Sequence, residues 1–219
     1  MSLKKYREKR NFSNSPEPKG ISKNHREEKT TPALIYVVQK HRASRLHYDF
    51  RLEYKGRLLS WAVPKGPSRD PSVKRLAMQV EDHPIEYAKF EGVIPKGEYG
   101  GGTVMIWDTG TWTPEQNDVE AALKRGDLKF TLHGKKLRGS WVLVRTRGFG
   151  GSSKPSWILI KHRDKYASAV DITLTKPKSV VSGQLLAGIA RENGGDVEEA
   201  GTGDPTRTQS RKHVRTKIV

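Results

Sequence analysis

The chain has 219 residues, a net charge of +17 and a pI near 10.0, with 34% hydrophobic residues and a mean hydropathy of −0.74. Cysteine is absent, which excludes a disulfide framework, a thiolate metal site and a thiol nucleophile. No apolar run approaches the roughly 20 residues that span a bilayer, and residues 1–6 lack the apolar core of a signal peptide, so a cytoplasmic protein with no membrane partner is expected.

Residues 1–32 are rich in Lys, Ser, Asn, Glu and Pro without apolar periodicity, and read as a flexible arm able to order itself over a charged site. From residue 33 the pattern changes to short runs of β-branched and aromatic residues bounded by Gly, Pro and Asp. It predicts strands at Leu34–Gln39, Arg45–Tyr54, Arg57–Val63, Arg75–Val80, Thr103–Asp108, Leu128–Leu132, Leu137–Thr146 and Ser156–Lys161. Lys55-Gly56, Thr109-Gly110 and Gly134-Lys135 read as turns. A helix is predicted over Asp118–Lys124, capped by Asp118 and ended by Gly126. The fold class is therefore mainly β, a compact closed β-barrel of about eight strands with one or two short helices. The five Trp residues read as core, and the barrel domain is placed at residues 33–177. Residues 178–219, rich in Gly, Ser and Thr and basic at the end, read as a disordered tail.

Residues 33–173 hold 24 Lys and Arg against 15 Asp and Glu, so about half the positive excess lies in the predicted fold rather than in its ends. Such an excess predicts a polyanionic partner, most often nucleic acid. Within that fold, one strand stands out. Read at a period of two, Arg45–Tyr54 places Arg45, His47, Asp49, Arg51 and Glu53 on one face and Leu46, Tyr48, Phe50, Leu52 and Tyr54 on the other. His41, expected from the preceding loop, completes an H-x5-H-x-D group with His47 and Asp49. Two imidazoles and a carboxylate suit Mn²⁺, Zn²⁺, Fe²⁺ or Co²⁺ and leave positions open for water and substrate. Arg51, Lys65 and Arg75 are candidate phosphate contacts, although Lys65 taken alone reads as a solvated surface lysine. His83 lies in Glu81-Asp82-His83-Pro84, where acidic neighbours are expected to raise its pKa and favour an imidazolium, and Tyr87 adds a hydroxyl. The Gly-rich stretch 90–102 lacks the spacing of a phosphate-binding P-loop and reads as a tight turn beside the barrel mouth.

Taken together, Val38–His41, Ser44–Glu53, Ser60–Pro67, Arg75–Ala77, Glu81–Pro84 with Glu86-Tyr87, the Glu91–Gly100 loop and Trp107-Asp108 resemble the 3′-phosphoesterase module of bacterial DNA ligase D, colinearly from about residue 33 to 167. The resemblance implies a Mn²⁺-dependent β-barrel enzyme, with Zn²⁺ or Co²⁺ as alternatives. Such an enzyme removes a 3′-terminal ribonucleoside and then the 3′-phosphate, leaving a 3′-OH. It implies His41, His47 and Asp49 as metal ligands, and Arg51, Lys65, Arg75, His83 and Tyr87 as phosphate-contacting and transition-state groups. Arg10 and Glu17 match the family's catalytic arm, with Asn11 standing where the family pattern has Asp. The implied partners are DNA or RNA-tipped DNA 3′ ends. No polymerase or ligase module fits within 219 residues, so a freestanding monomer is expected, served by a separately encoded ligase or polymerase. Two other readings compete. One is an Fe²⁺/2-oxoglutarate oxygenase using His47, Asp49 and His133 or His162; the other is a non-catalytic DNA-binding accessory of an end-joining ligase.

Overall fold

The computed structural model describes residues 3–20, 33–147 and 156–206. After a short helix α1 (Lys4–Glu8), the chain forms β1 (Ile35–Arg42), β2 (Leu46–Tyr54), β3 (Arg57–Val63) and β4 (Arg75–Gln79). A 3₁₀ turn (Ile85–Lys89), β5 (Gly92–Ile94), the long β6 (Gly102–Pro114), α2 (Val119–Arg125), β7 (Asp127–Gly134), β8 (Arg138–Thr146) and β9 (Ser156–Lys161) follow. Three short helices close the described chain: α3 (Ile172–Thr175), α4 (Leu186–Glu192) and α5 (Val197–Gly201).

The strands run in the order β1-β2-β3-β4-β9-β8-β7-β6, and pairing of β1 with β6 closes an eight-stranded antiparallel barrel, with β5 added outside against β6. Closure removes the open edges that a flat sheet would leave. The seams differ in length. β1 and β2 pair through seven residues each, whereas β3 and β4 share two pairs, Trp61↔Gln79 and Ala62↔Met78.

Alternation along each strand decides what lies inside. Tyr36, Val38, Tyr48, Phe50, Leu52, Leu59, Trp61 and Val63 fill the barrel together with the other four tryptophans, all at most 4% exposed. The turn residues behave as their chemistry requires. Lys55 and Gly56 take φ of 50° and 74°, the left-handed pair that suits a two-residue hairpin. Asp118 accepts a hydrogen bond from Ala121 N, and Gly126 ends α2 at φ 85°.

Three expectations change. Strand β1 runs through Arg42, so His41 stands on the strand and not in a loop, directly opposite His47. Thr109-Gly110 is not a turn but lies inside β6, where Gly110 pairs with Gly134. A Cβ on Gly134 would fall on the Tyr36 hydroxyl, so the close approach of those backbones requires glycine. Residues 178–206 are not a disordered tail. Leu186, Ile189, Ala190 and Ala200 bury their side chains in the main core, and this hydrophobic contact organises α4 and α5. Residues 207–219 lie outside the described residues.

A register shift between Val38 and Gln39 makes Trp107 an extra residue on β6. Trp107 and Asp108 are both fully buried as a result, Asp108 accepting from the Tyr36 hydroxyl at 2.5 Å and from the Lys136 and Leu137 amides. A second, smaller apolar cluster sits outside the barrel wall, where Val37, Leu58 and Ile106 meet Tyr6 of the arm and Tyr87 and Ala88 of the 3₁₀ turn.

Candidate active site

The outward face of β1 and β2 carries Val37, Gln39 and His41 on one strand and His47, Asp49 and Arg51 on the other, with Gln39 opposite Asp49 and His41 opposite His47. His41 Nδ1 and His47 Nε2 each lie 3.7 Å from Asp49 Oδ2, and the ligand atoms of all three residues fall within 4.8 Å of one another. The 3.7 Å separations are too long for hydrogen bonds and close to those between ligands that share one ion at metal–ligand distances of about 2.1 Å. His47 Nδ1 lies 3.0 Å from the Arg45 carbonyl, a contact that fixes the tautomer leaving Nε2 as the free donor atom. The residues present therefore fit a divalent metal. His41 and Asp49 are 6% and 7% exposed, so an ion here would be largely shielded from water.

Arg51 is the organising cation. It donates from Nε to Gln39 Oε1 (2.8 Å) and from Nη1 to Ser60 Oγ (2.9 Å), and Nη2 lies 3.0 Å from Asp49 Oδ2. Burial opposes a charge on Asp49, yet the Arg51 guanidinium and the two imidazoles hold its carboxyl well below the usual carboxylate range. Burial likewise works against protonation of His47, but Asp49 outweighs it and the His47 pKa is raised.

Facing this wall is the arm. Arg10 donates from Nε to Glu17 (2.9 Å) and from Nη1 to the Tyr6 carbonyl (3.1 Å), while its Nη2 lies 3.2 Å from His83 Nε2. Glu17 also accepts from the Tyr87 hydroxyl (2.9 Å) and the Ser15 hydroxyl (2.9 Å). Tyr87 stacks its ring 4.9 Å from the Arg51 guanidinium. Arm, 3₁₀ turn and strand pair thus converge, and bring together His41, His47, Asp49, Arg51, His83, Tyr87, Arg10 and Glu17.

His83 departs from expectation. Burial, then the Arg51 and Arg10 cations, push its pKa well below the ordinary value rather than above it. Its acidic sequence neighbours are engaged elsewhere, Glu81 with Lys9 and Arg10 and Asp82 with Arg57 at 2.9 Å. With Nδ1 donating to the Glu81 carbonyl (2.9 Å), the neutral ring accepts from Arg10 at Nε2.

Other expected residues stand apart. The Asn11 side chain is exposed and accepts from Ser13 N (3.1 Å), closing an Asx turn within the arm. Lys65 is exposed, two residues past Val63, which pairs with Tyr48. Arg75 begins β4 on the face that buries Ala77, and its Nε is buried without a hydrogen-bond partner among the described residues. His133 and His162, the oxygenase alternatives, lie near Thr113 and Ser140 and take no part in the ligand group. Gln39, Ser60, Glu81 and Tyr6 were not expected in the site. Gln39 carries the clearest signal, since it stands two residues before His41 on the same strand face.

Residues 39–145 match the family model described as the DNA Ligase D 3′-phosphoesterase domain. The chain belongs to this 3′-phosphoesterase family. It is 51% identical over 187 residues to the multifunctional non-homologous end joining protein LigD of Pseudomonas aeruginosa, an alignment covering 84% of this chain and 22% of that protein. It is 46% identical over 146 residues to the LigD protein of Mycobacterium bovis (67% and 18%), and 41% identical over 170 residues to that of Mycolicibacterium smegmatis (74% and 21%). The chain spans about a fifth of the length of these relatives. The span matched to the 3′-phosphoesterase model contains the metal-fitting group, Arg51, His83 and Tyr87, whereas Arg10 and Glu17 precede it. No helix among the described residues is long and apolar enough to cross a membrane.

Proposed function

We propose that the chain is a divalent-metal-dependent 3′-phosphoesterase. It heals DNA 3′ ends by removing a terminal ribonucleoside and then the 3′-phosphate, leaving a 3′-OH for end-joining repair. The observation that carries this reading is the convergence of His41, His47 and Asp49, at metal-ligand spacing, with the buried cations Arg51 and Arg10. Membership of the 3′-phosphoesterase family and the similarity to end-joining proteins support the substrate class.

Mn²⁺, or Zn²⁺ or Co²⁺, held by the two imidazoles and the carboxylate would polarise a phosphate oxygen and lower the pKa of water. The protein groups supply positioning and charge, which phosphoryl transfer chiefly requires. Arg51 is fixed on three sides by Gln39, Ser60 and Asp49, so the remaining N–H groups of its fork are preorganised for an anion. Glu17 aims Arg10 across the same space and orients the Tyr87 hydroxyl. Neutral His83 holds the Arg10 fork through its Nε2 lone pair and becomes available to accept a proton when substrate displaces that contact. The positive chain as a whole favours association with nucleic acid.

A 5′-labelled primer–template ending in one 3′-ribonucleotide, incubated with and without Mn²⁺ and resolved on a sequencing gel, tests the assignment. Conversion first to a 3′-phosphate and then to a 3′-OH end is expected. Retained DNA binding with no product under any divalent metal would replace it with the accessory reading.

A further inference from the structure

We infer that residues 186–204 form a clasp that positions His41, so that the metal-binding unit of this chain extends to Asp204. The inference rests on the metal reading of His41, His47 and Asp49.

His41 is flanked on β1 by Lys40 and Arg42, which alternation sends to the opposite side of the strand. Both neighbours are held by the same short segment. Lys40 is 2% exposed, and its ammonium faces the Asp204 carboxylate at 3.9 Å. Arg42 donates from Nε to the Thr202 hydroxyl at 2.7 Å and lies 3.9 Å from Glu199. A backbone pinned on both sides of one residue fixes the direction of that residue's Cα–Cβ bond, and hence where the His41 ring can reach.

The segment grips the second metal-bearing strand as well. Gly203 packs so closely on Leu186 and Leu46, the first residue of β2, that an added Cβ would lie 2.7 Å and 3.2 Å from their methyl groups. Asp204 is itself held in place, accepting from the Leu186 and Ala187 amides at 3.0 Å each. On its other side the segment meets the Gly-rich loop. Asp196 and Glu199 each lie 3.7 Å from Lys96, and Gly195 packs against Val93. A Cβ built on Gly100 of that loop would lie 3.7 Å from His41 Cε1, so the ring is bounded by a loop that the clasp also touches. The buried contacts to β1 dominate, because ion pairs as exposed as those of Lys96 contribute little.

Asp204, Thr202 and Glu199 are thus positioning residues that act on the metal site through Lys40 and Arg42. The test is Mn²⁺ titration of the full chain, following the free-ion electron paramagnetic resonance signal, beside a metal-free thermal melt. The variants are Asp204→Ala, the milder pair Thr202→Ala with Glu199→Gln, and Asp118→Ala as a control that removes the cap of α2. Asp204→Ala is expected to weaken Mn²⁺ binding about tenfold or more, as loss of outer-shell support does elsewhere. The milder pair should weaken it in the same direction, and Asp118→Ala should lower the melting temperature with Mn²⁺ affinity unchanged. Unchanged Mn²⁺ affinity in Asp204→Ala and in the pair, measured below their melting temperatures, would overturn the clasp. So would equal weakening in Asp118→Ala. Absence of Mn²⁺ binding by the unaltered chain would overturn the metal reading and the clasp with it, whereas normal binding by every variant would overturn the clasp alone.

Discussion

Arg51 and Asp49 stand two residues apart on β2, joined at 3.0 Å, and each is less than a tenth exposed. The pair joins the metal-fitting group to the guanidinium that Gln39 and Ser60 hold. Removing one member leaves the other charge buried without its partner, which costs about 3–5 kcal/mol in comparable settings. Asp49→Ala should therefore destabilise the metal-free protein by roughly 3 kcal/mol, while His47→Ala, at a more exposed position, should lose less than half of that. Urea unfolding in the presence of a chelator measures both. Comparable losses for the two variants would contradict the central role given to the ion pair.

With metal present, His41→Ala, His47→Ala and Asp49→Ala should each lower 3′-phosphate release by at least about 100-fold, the scale expected when a catalytic charge-stabilising group is lost. Near-full activity in any one of them would remove that residue from the ligand set.

The depressed pKa of His83 gives a signed pH effect. Its folded-state pKa lies well below the ordinary 6.5, chiefly through burial. Above pH 6.5 the ring is neutral in both states and contributes no pH dependence. As pH falls through 6.5 the unfolded chain takes up a proton that the folded chain does not, so this group progressively withdraws stability, by at most about 1.4 kcal/mol per pH unit. His83→Asn removes that term. Denaturant midpoints of the two proteins should diverge between pH 6.5 and 5.5, the wild type falling further, and parallel curves would refute a neutral, buried His83.

The arm is anchored by Tyr6, which is fully buried, donates to the Pro18 carbonyl at 2.7 Å and lies under the Arg10 guanidinium at 3.9 Å. Tyr6→Ala removes a buried aromatic worth about 3 kcal/mol or more. Trypsin should then cut at Arg7, Lys9 or Arg10 about 100-fold faster, with the barrel melting as before. Cleavage at the wild-type rate would show that the arm is held by other contacts.

Asn11→Asp should be nearly silent. The Asn11 carbonyl oxygen closes a turn with Ser13 N, and an aspartate can make the same bond. Stability should move by less than about 0.5 kcal/mol, and the ratio of ribonucleoside removal to phosphate removal by less than about threefold. A large rise in ribonucleoside removal would show that this position acts on substrate despite its outward side chain.

Much of this was legible along the chain wherever local chemistry decides the outcome. Asp118 and Gly126 bracket α2 because a side-chain cap and a left-handed glycine act over one turn. The two-residue alternation of β2 places His47, Asp49 and Arg51 on one face and Phe50 and Leu52 in the core without further information. The support for Arg51 is a different matter. Gln39 and Ser60 reach it from neighbouring strands, and only the register brings them there. His83 failed for the same reason, since its sequence neighbours Glu81 and Asp82 pair with Lys9, Arg10 and Arg57 while distant cations surround the ring. In the C-terminal segment, composition hid a helical signal. Leu186, Ile189 and Ala190 stand at helical spacing, but the Gly, Ser and Thr around them dominate an average.

The two-pair seam between β3 and β4 gives the barrel an uneven mechanical character. The metal-fitting residues ride on a seven-rung ladder, which resists shear, whereas β3 meets β4 through the shortest ladder of the cylinder and β4 is held on its other side by four pairs to β9. Local opening follows the least-bonded unit. The β3–β4 seam is therefore where the cylinder is expected to open first, and the strand pair that carries the metal-fitting residues where it opens last. Opening that begins at the β3–β4 seam would leave the β1–β2 ladder, and with it the spacing of His41, His47 and Asp49, unchanged.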